Sequence, residues 1–184
     1  MTIGFALHDI VETEVFPEYD LLYCDPPCGQ SLVKQFETKM VKATGLLSPG
    51  NNIKDILDAL GRLADPAKPL YIEYTISKKD MDMLQYAMMS WGHQLGQIVQ
   101  GYQTTGNIYS IFVYNTDQRY KGHPKDFEMI DMVCRQEQPK LVFDPFAGIG
   151  QTAKRFLGNG VGYIGHELNP ARYAKLQQEM SKFF

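Results

Sequence analysis

Residues 141–153 read LVFDPFAGIGQTA, a pattern that predicts a buried strand, a tight glycine turn and a helix. The apolar run at 141–143 is typical of a strand inside a parallel sheet. Gly148 and Gly150 would let the backbone pass close to a ligand, where a Cβ would intrude. The start of the helix would offer free N–H groups to an acidic ligand. A plain tight turn has the same pattern, so the flanking sequence must distinguish the two.

Composition indicates an ordinary globular protein. The chain has 184 residues, of which 44% are hydrophobic and 21% charged, and a formal net charge of -3. We therefore expect a single domain over residues 1–184. Three cysteines without paired spacing predict no disulfide framework and fit a reducing compartment. No signal peptide and no apolar run long enough for a membrane is seen, so the expected location is the cytoplasm, away from membranes.

Strand and helix patterns alternate along the chain, with one hairpin near the middle. This alternation predicts a three-layer α/β domain whose sheet is mostly parallel, with one antiparallel hairpin strand. The predicted strands lie at 2–7, 19–24, 70–75, 97–102, 107–114, 141–143 and 162–167. The predicted helices lie at 30–43, 53–63, 77–91, 126–135, 152–157 and from 170 onward.

Four clusters of polar and turn residues follow predicted strands or lead into helices, at 25–29, 123–125, 144–150 and 165–170. In open α/β sheets, ligands bind at the carboxyl ends of the strands. Glu167 lies 17 residues after Gly150, near the spacing of an acid that accepts hydrogen bonds from ribose hydroxyls. A third glycine is missing, which argues against a nicotinamide cofactor. The absence of a Gly-Lys-Ser/Thr run argues against a P-loop, and we predict no metal site.

These segments resemble the motifs of S-adenosylmethionine-dependent DNA amino-methyltransferases. FDPFAGIGQTA followed by YIGHELNPARYAKLQQEM looks like motifs I and II, and GHPKDFEMI resembles the segment before motif I. YDLLYCDPPC resembles motif IV, the catalytic turn. The catalytic motif precedes the cofactor loop, which is similar to the beta class. The resemblance implies a Rossmann-like methyltransferase sheet in circularly permuted motif order, with S-adenosyl-L-methionine as cofactor.

The resemblance also implies roles for single residues. Glu167 would bind the ribose hydroxyls, and His123 and Lys125 would lie near the methionine carboxylate. The plain alternatives are that Asp144 only caps the next helix and that Lys125 is a solvated surface charge. The other residues implied at the cofactor are Asp9, Asp144, Pro145, Phe146, Gly148, Gly150, Thr152 and Asn169.

The turn Asp25-Pro26-Pro27-Cys28 would be the catalytic site. An exocyclic base amine is a poor nucleophile because its lone pair is delocalised into the ring. The Asp25 side chain and the Pro26 carbonyl could each accept an N–H bond and so localise that lone pair, which makes catalysis mainly positioning and electrostatics. The base must leave the duplex to reach the turn. In families of this kind, Asp before Pro-Pro favours adenine N6 over cytosine N4.

Cys28 departs from the family pattern, which has an aromatic residue there to stack on the extruded base. Three interpretations stay open. Another aromatic residue stacks on the base, or the chain is a catalytically impaired cofactor-binding subunit that needs a partner chain. Alternatively, Cys28 is a nucleophile for C5-pyrimidine methyl transfer, because Pro-Pro-Cys with Gln30 resembles the turn of that family, and Glu73 would be its glutamate. The candidate stacking residues are Tyr23, Tyr74 and Tyr120.

The expected partner is DNA, with RNA less favoured, and a homodimer or a partner subunit is compatible with the resemblance. The beta class has a large target-recognition region where this chain has only the loop 115–122. The chain would therefore recognise a short target sequence, bind DNA with low sequence specificity, or depend on a partner for recognition. A compact chain suits a restriction-modification or phage enzyme. Any single surface cation is more simply a solvated charge. The candidate phosphate contacts are Lys34, Lys39, Lys42, Arg119 and Lys121.

Overall fold

The computed structural model describes residues 2–46, 49–75 and 77–183. The strands are β1 (Ile3–Leu7), β2 (Leu21–Cys24), β3 (Leu70–Tyr74), β4 (Leu95–Tyr102), β5 (Ile108–Tyr114), β6 (Leu141–Asp144) and β7 (Gly162–Glu167). The helices are α1 (Gln30–Thr44), α2 (Ile53–Leu63), α3 (Lys78–Ser90), α4 (Glu128–Glu137), α5 (Gln151–Gly158) and α6 (Pro170–Met180), and a 3-10 turn follows at Ser181–Phe183.

The strands form one seven-stranded sheet in the order β1-β7-β6-β2-β3-β5-β4. The first five of these are parallel, and β5 is antiparallel to both β3 and β4. The predicted fold is therefore confirmed: a mostly parallel sheet with one antiparallel hairpin strand. Across the described residues, none of the helices combines the length and apolar character needed to span a bilayer.

Two apolar cores lie on opposite faces of the sheet. Side chains alternate along each strand, so that Tyr71 of β3 packs into one core and Ile72 into the other. Helices α2 and α3 cover the face that carries Ile72, and α4, α5 and α6 cover the other. The chain passes from β6 to β7 through α5, on the face that carries Tyr71. It passes from β2 to β3 through α1 and α2, on the face that carries Ile72. A crevice is expected between the carboxyl ends of such strands.

Three predicted elements have boundaries that are wrong by two residues. The strand predicted at 97–102 begins at Leu95, and at the other two elements polar side chains make contacts that the pattern does not show. The strand predicted at 19–24 begins at Leu21, since the Asp20 carboxylate accepts the N–H groups of Lys140 and Leu141 at the start of β6. The helix predicted at 126–135 spans Glu128–Glu137. Asp126 has a φ of 47° and accepts hydrogen bonds from Thr104, which ties the hairpin turn to the segment before α4.

Candidate active site

A cavity of about 200 Å³ opens at the crevice between β2 and β6, beneath α1. Four segments far apart in sequence contribute to its wall, because β1, β7, β6 and β2 are adjacent and parallel, so their carboxyl ends share one edge. Nine of the residues expected from the sequence line it. They are Asp9, Asp25, Pro26, Pro27, Cys28, Pro145, Phe146, Glu167 and Asn169.

Asp144 is buried behind the wall and does not line the cavity. Its carboxylate accepts the Tyr163 hydroxyl at 2.6 Å and the backbone N–H of Phe146 at 2.8 Å. Burial raises the pKa of Asp144 to about 7, against the lowering effect of these hydrogen bonds. Asp144 thus shapes the turn that presents Phe146. Thr152, on the first turn of α5, is also outside the lining.

Neither glycine of the turn lines the cavity. Gly150 has a φ of 88°, and a Cβ there would lie 2.7 Å from Cδ1 of Leu176 and 3.0 Å from Cε of Met180. Gly148 has a φ of 61°, and its Cβ would lie 2.6 Å from Nη2 of Arg172. The left-handed backbone and the close packing of α6 on the turn both favour glycine at position 150. The role of Gly150 beside a ligand stays a prediction.

Gly150→Ala should lower the free energy of unfolding by about 2 to 4 kcal/mol, because left-handed backbone strain adds to overpacking against α6. Gly158→Ala is the matched control on the same helix, since a Cβ there meets nothing within 4 Å. Urea unfolding measures both variants. Equal effects of the two substitutions would contradict the packing explanation.

Asp25 follows β2 directly and faces the cavity. Its surface stays accessible, yet protein surrounds the carboxyl on most sides. This desolvation raises the pKa of Asp25 to about 6, and the positive charge of Arg172 opposes the increase. Pro26 is buried, and its carbonyl oxygen lies 3.7 Å from the Cys28 thiol, a weak donor. At neutral pH the turn therefore offers an ionised carboxylate as a hydrogen-bond acceptor.

The surroundings of Cys28 do not favour a nucleophilic thiolate. Desolvation and the nearby charge of Asp25 raise the pKa of Cys28 to about 12, whereas reactive cysteines have a lowered pKa. Glu73 does not line the cavity. It accepts a hydrogen bond from the Tyr23 hydroxyl, and desolvation together with Asp25 raises the pKa of Glu73 to about 8.

The expectation that Tyr23, Tyr74 or Tyr120 stacks on a base is wrong. All three are at most 3% exposed, and none lines the cavity. Tyr23 and Tyr120 pack into the core under α4 and α5, and Tyr74 packs into the core on the other face. Among the described residues, the Phe, Tyr and Trp rings that line the cavity are those of Phe36 and Phe146, and the imidazole of His8 also lines it.

His123 and Lys125 lie outside the cavity. Their segment runs beside β4, where the N–H of Tyr102 donates to the carbonyl of Pro124 at 3.1 Å and His123 Nδ1 lies 3.2 Å from the carbonyl oxygen of Gln100. Strand β4 is four positions from β6 in the sheet, which is about 19 Å at the usual strand spacing. The structure does not bring this segment to the glycine turn.

Several cavity residues were not predicted from the sequence. Arg172 of α6 and Phe36 of α1 lie on helices whose placement the motifs do not specify, and the Arg172 Cζ is 5.2 Å from the centroid of the Phe36 ring. Asn51, in the loop before α2, donates from Nδ2 to Oδ2 of Asp9 at 2.8 Å. Asn169, which was predicted, caps α6 by accepting the N–H groups of residues 171 and 172.

The candidate phosphate contacts lie on the surface. Lys34, Lys39 and Lys42 are exposed on α1, and Lys121 is exposed in the loop before α4. Arg119 is exposed, and its Nη1 donates to the carbonyls of Thr116 and Gln118. Their suggested role stays a prediction.

The sheet order and the crevice define a Rossmann-like, doubly wound α/β protein. This fold is shared with a DNA methyltransferase of known structure, the cytosine-N4-specific PvuII enzyme. That likeness has a TM-score of 0.64 at 12% identity, over 96% of this chain and 86% of the other. No protein-family model and no curated protein matches the sequence.

Two other solved proteins have similar structures over nearly their whole length. M1.HpyAVI has a TM-score of 0.67 at 11% identity, over 97% of this chain and 99% of that chain, and it has also been solved in complex with SAM. TTHA0409 from Thermus thermophilus, in complex with S-adenosyl-L-methionine, has a TM-score of 0.67 at 15% identity, over 98% and 95%. At these identities the likeness establishes the fold.

Proposed function

We propose that this chain is an S-adenosylmethionine-dependent methyltransferase that acts on an exocyclic amine of a nucleic-acid base, adenine N6 in DNA. The observation that carries the proposal is that the Asp25-Pro26-Pro27 turn, Phe146 and Glu167 line one cavity. This cavity lies between β6 and β2, where the strand order reverses. Fold likeness to two proteins solved with S-adenosylmethionine and to one DNA methyltransferase supports it.

The cavity residues fit this cofactor. Glu167 is a buried carboxylate in the cavity wall, suited to accept hydrogen bonds from a ribose diol. Phe36 and Phe146 supply apolar surface for a purine ring. Carboxylates of the wall, including Asp9 and Asp25, create a negative field that favours a cationic sulfonium and an ammonium group. The buried Asp144, Gly148 and Gly150 and the half-buried Thr152 would act through the shape of the turn.

When bound, S-adenosylmethionine supplies a methyl group on a positively charged sulfur. Asp25 and the Pro26 carbonyl accept the two N–H bonds of the base amine and hold its lone pair toward that methyl group. The base nitrogen would take up the methyl group that the cofactor supplies, and the Asp25 carboxylate would accept the proton that this nitrogen then releases. The chain contributes chiefly position and electrostatics, and the base must be extruded from the duplex.

Adenine is the base we propose, because Asp precedes Pro-Pro in the catalytic turn. The motif order would be the permuted order of the beta class, within a single domain over residues 1–184. The loop 115–122 is too short for a recognition domain. Sequence specificity for the DNA target would therefore be low, or a second copy or a partner subunit would supply it. Cytosine N4 is the competing amine.

Cys28→Ser should keep most of the amine methylation, because the thiol takes no chemical part in it. If Cys28 were instead the nucleophile of C5 transfer, its loss would reduce activity by a factor on the order of 10⁴ or more. Transfer of labelled methyl groups to DNA measures the rate. Cys134→Ser, a half-buried cysteine outside the cavity, is the control. A collapse of activity in Cys28→Ser alone would favour C5 transfer.

Calorimetry with S-adenosylmethionine tests the first half of the proposal. We expect saturable binding of one molecule per chain, and its absence would overturn the proposal. Binding without methyl transfer to DNA or RNA would contradict an autonomous enzyme and favour the subunit alternative.

A further inference from the structure

Arg172 has an unusual position in the cavity. Among the described residues that line it, Arg172 is the one Arg or Lys, and it shares the wall with four carboxylates: Asp9, Asp25, Glu37 and Glu167. Its backbone N–H donates to Oδ1 of the capping Asn169 at 3.2 Å, which anchors it in the first turn of α6. The cavity thus has a single fixed cation, held by a capped helix.

The guanidinium of Arg172 connects three parts of the site. Its Nη2 lies directly over the glycine turn, 2.6 Å from the place where a Cβ of Gly148 would be. Its Nε lies 3.8 Å from Oε2 of Glu167, and its Cζ lies 5.2 Å from the centroid of the Phe36 ring. Only glycine at position 148 leaves room for this arrangement. The Arg172 guanidinium therefore lies between the glycine turn and the acid proposed to bind ribose.

The Nη1 and Nη2 groups of Arg172 are available to donate hydrogen bonds to a ligand. Within the described residues, neither Nη1 nor Nη2 of Arg172 donates a hydrogen bond, and the contact with Glu167 is a 3.8 Å ion pair through Nε. A planar fork of free N–H donors matches a carboxylate in bidentate geometry. A ligand carboxylate could bind these donors while Glu167 stays available for hydroxyl groups.

Charge balance gives a reason for such a contact. A ligand with a carboxylate would be repelled by four acidic side chains unless a cation paired with it. The sequence resemblance suggests His123 and Lys125 for this purpose. They lie beside β4, an edge strand four positions from β6, and do not line the cavity.

We propose that Arg172 binds the carboxylate of the cofactor's amino-acid part. This inference rests on the proposed function, since it takes S-adenosylmethionine as the ligand. Arg172 is then a specificity determinant that distinguishes amino-acid-bearing ligands from their decarboxylated analogues, in the place of the distant His123 and Lys125.

The test compares S-adenosylmethionine with decarboxylated S-adenosylmethionine, which lacks only the carboxylate. Calorimetry is done on the whole chain and on the variants Arg172→Gln, Arg172→Lys and, as a control, Lys175→Gln, an exposed cation of the same helix. The wild type and the control should prefer the carboxylate-bearing ligand by about 10- to 100-fold. Arg172→Gln should lose that preference with little change for the decarboxylated ligand, and Arg172→Lys should restore part of it.

An equal loss of affinity for both ligands in Arg172→Gln would assign Arg172 a structural role and overturn the inference. Tighter binding of both ligands would also overturn it, because Arg172 would then be an obstacle in the cavity. If the wild type binds S-adenosylmethionine without preference over the analogue, the inference fails while the proposed function survives. If the wild type binds neither ligand, the proposed function fails. Thermal unfolding of each variant confirms that the proteins compared are folded.

Discussion

Asp25→Ala should abolish methyl transfer and leave the affinity for S-adenosylmethionine near that of the wild type. The substitution removes the carboxylate that orients the base amine at the end of β2. Loss of one preorganised group of this kind typically costs about 10²- to 10³-fold in kcat. Cofactor affinity should persist, because Glu167 and Phe146 come from other strand ends. Methyl transfer to DNA and calorimetry measure the two properties.

Two comparisons sharpen this expectation. Asp25→Asn keeps an acceptor oxygen and should lose less activity, whereas Asp82→Ala, on the exposed surface of α3, should lose none. The pKa of Asp25 is about 6, so kcat/KM of the wild type should rise with pH as this acid ionises and level off above that value. Asp25→Asn should lack this step. An Asp25→Ala protein with normal turnover would refute the assignment.

Glu167→Gln should weaken the binding of S-adenosylmethionine by about 10- to 100-fold, since a hydrogen bond to a charged acceptor contributes about 1.5 to 3 kcal/mol. Glu167 is buried, lies at the end of β7 and lines the same cavity as the proposed catalytic turn. The amide keeps the size of the side chain but loses the charge and one acceptor. Calorimetry measures the affinity, with Glu14→Gln, an exposed acid, as control.

The two variants should differ in their kinetics. Glu167→Gln should raise the KM for the cofactor and retain much of kcat at saturation, whereas Asp25→Ala should lower kcat. Unchanged cofactor affinity in Glu167→Gln would show that Glu167 does not bind the ribose.

The sheet and the cavity could be predicted from the sequence because both depend on local patterns. Apolar runs identify parallel strands, and parallel neighbours bring their carboxyl ends to one edge whatever their distance in sequence. Asp25, Phe146 and Glu167 lie at or just after the ends of three such strands, and they meet at one cavity because these strands are neighbours in the sheet.

The rest depends on packing that local patterns do not encode. The segment 123–125 precedes α4 closely in sequence, but its backbone pairs with β4 and therefore lies far from the glycine turn. The sequence pattern around Gly150 indicates a tight turn but does not show that side chains of α6 occupy the space beside it. Arg172 could be found only once α6 was placed over that turn.

The most direct test of the central claim is mass spectrometry of nucleosides from DNA incubated with the protein and S-adenosylmethionine that carries an isotopically labelled methyl group. The proposed function predicts labelled N6-methyladenine with the wild type and none with Asp25→Ala. Labelled N4-methylcytosine would correct the base but keep the reaction class. Label in 5-methylcytosine, or no label in any nucleoside from a protein that binds the cofactor, would contradict exocyclic-amine transfer by this chain.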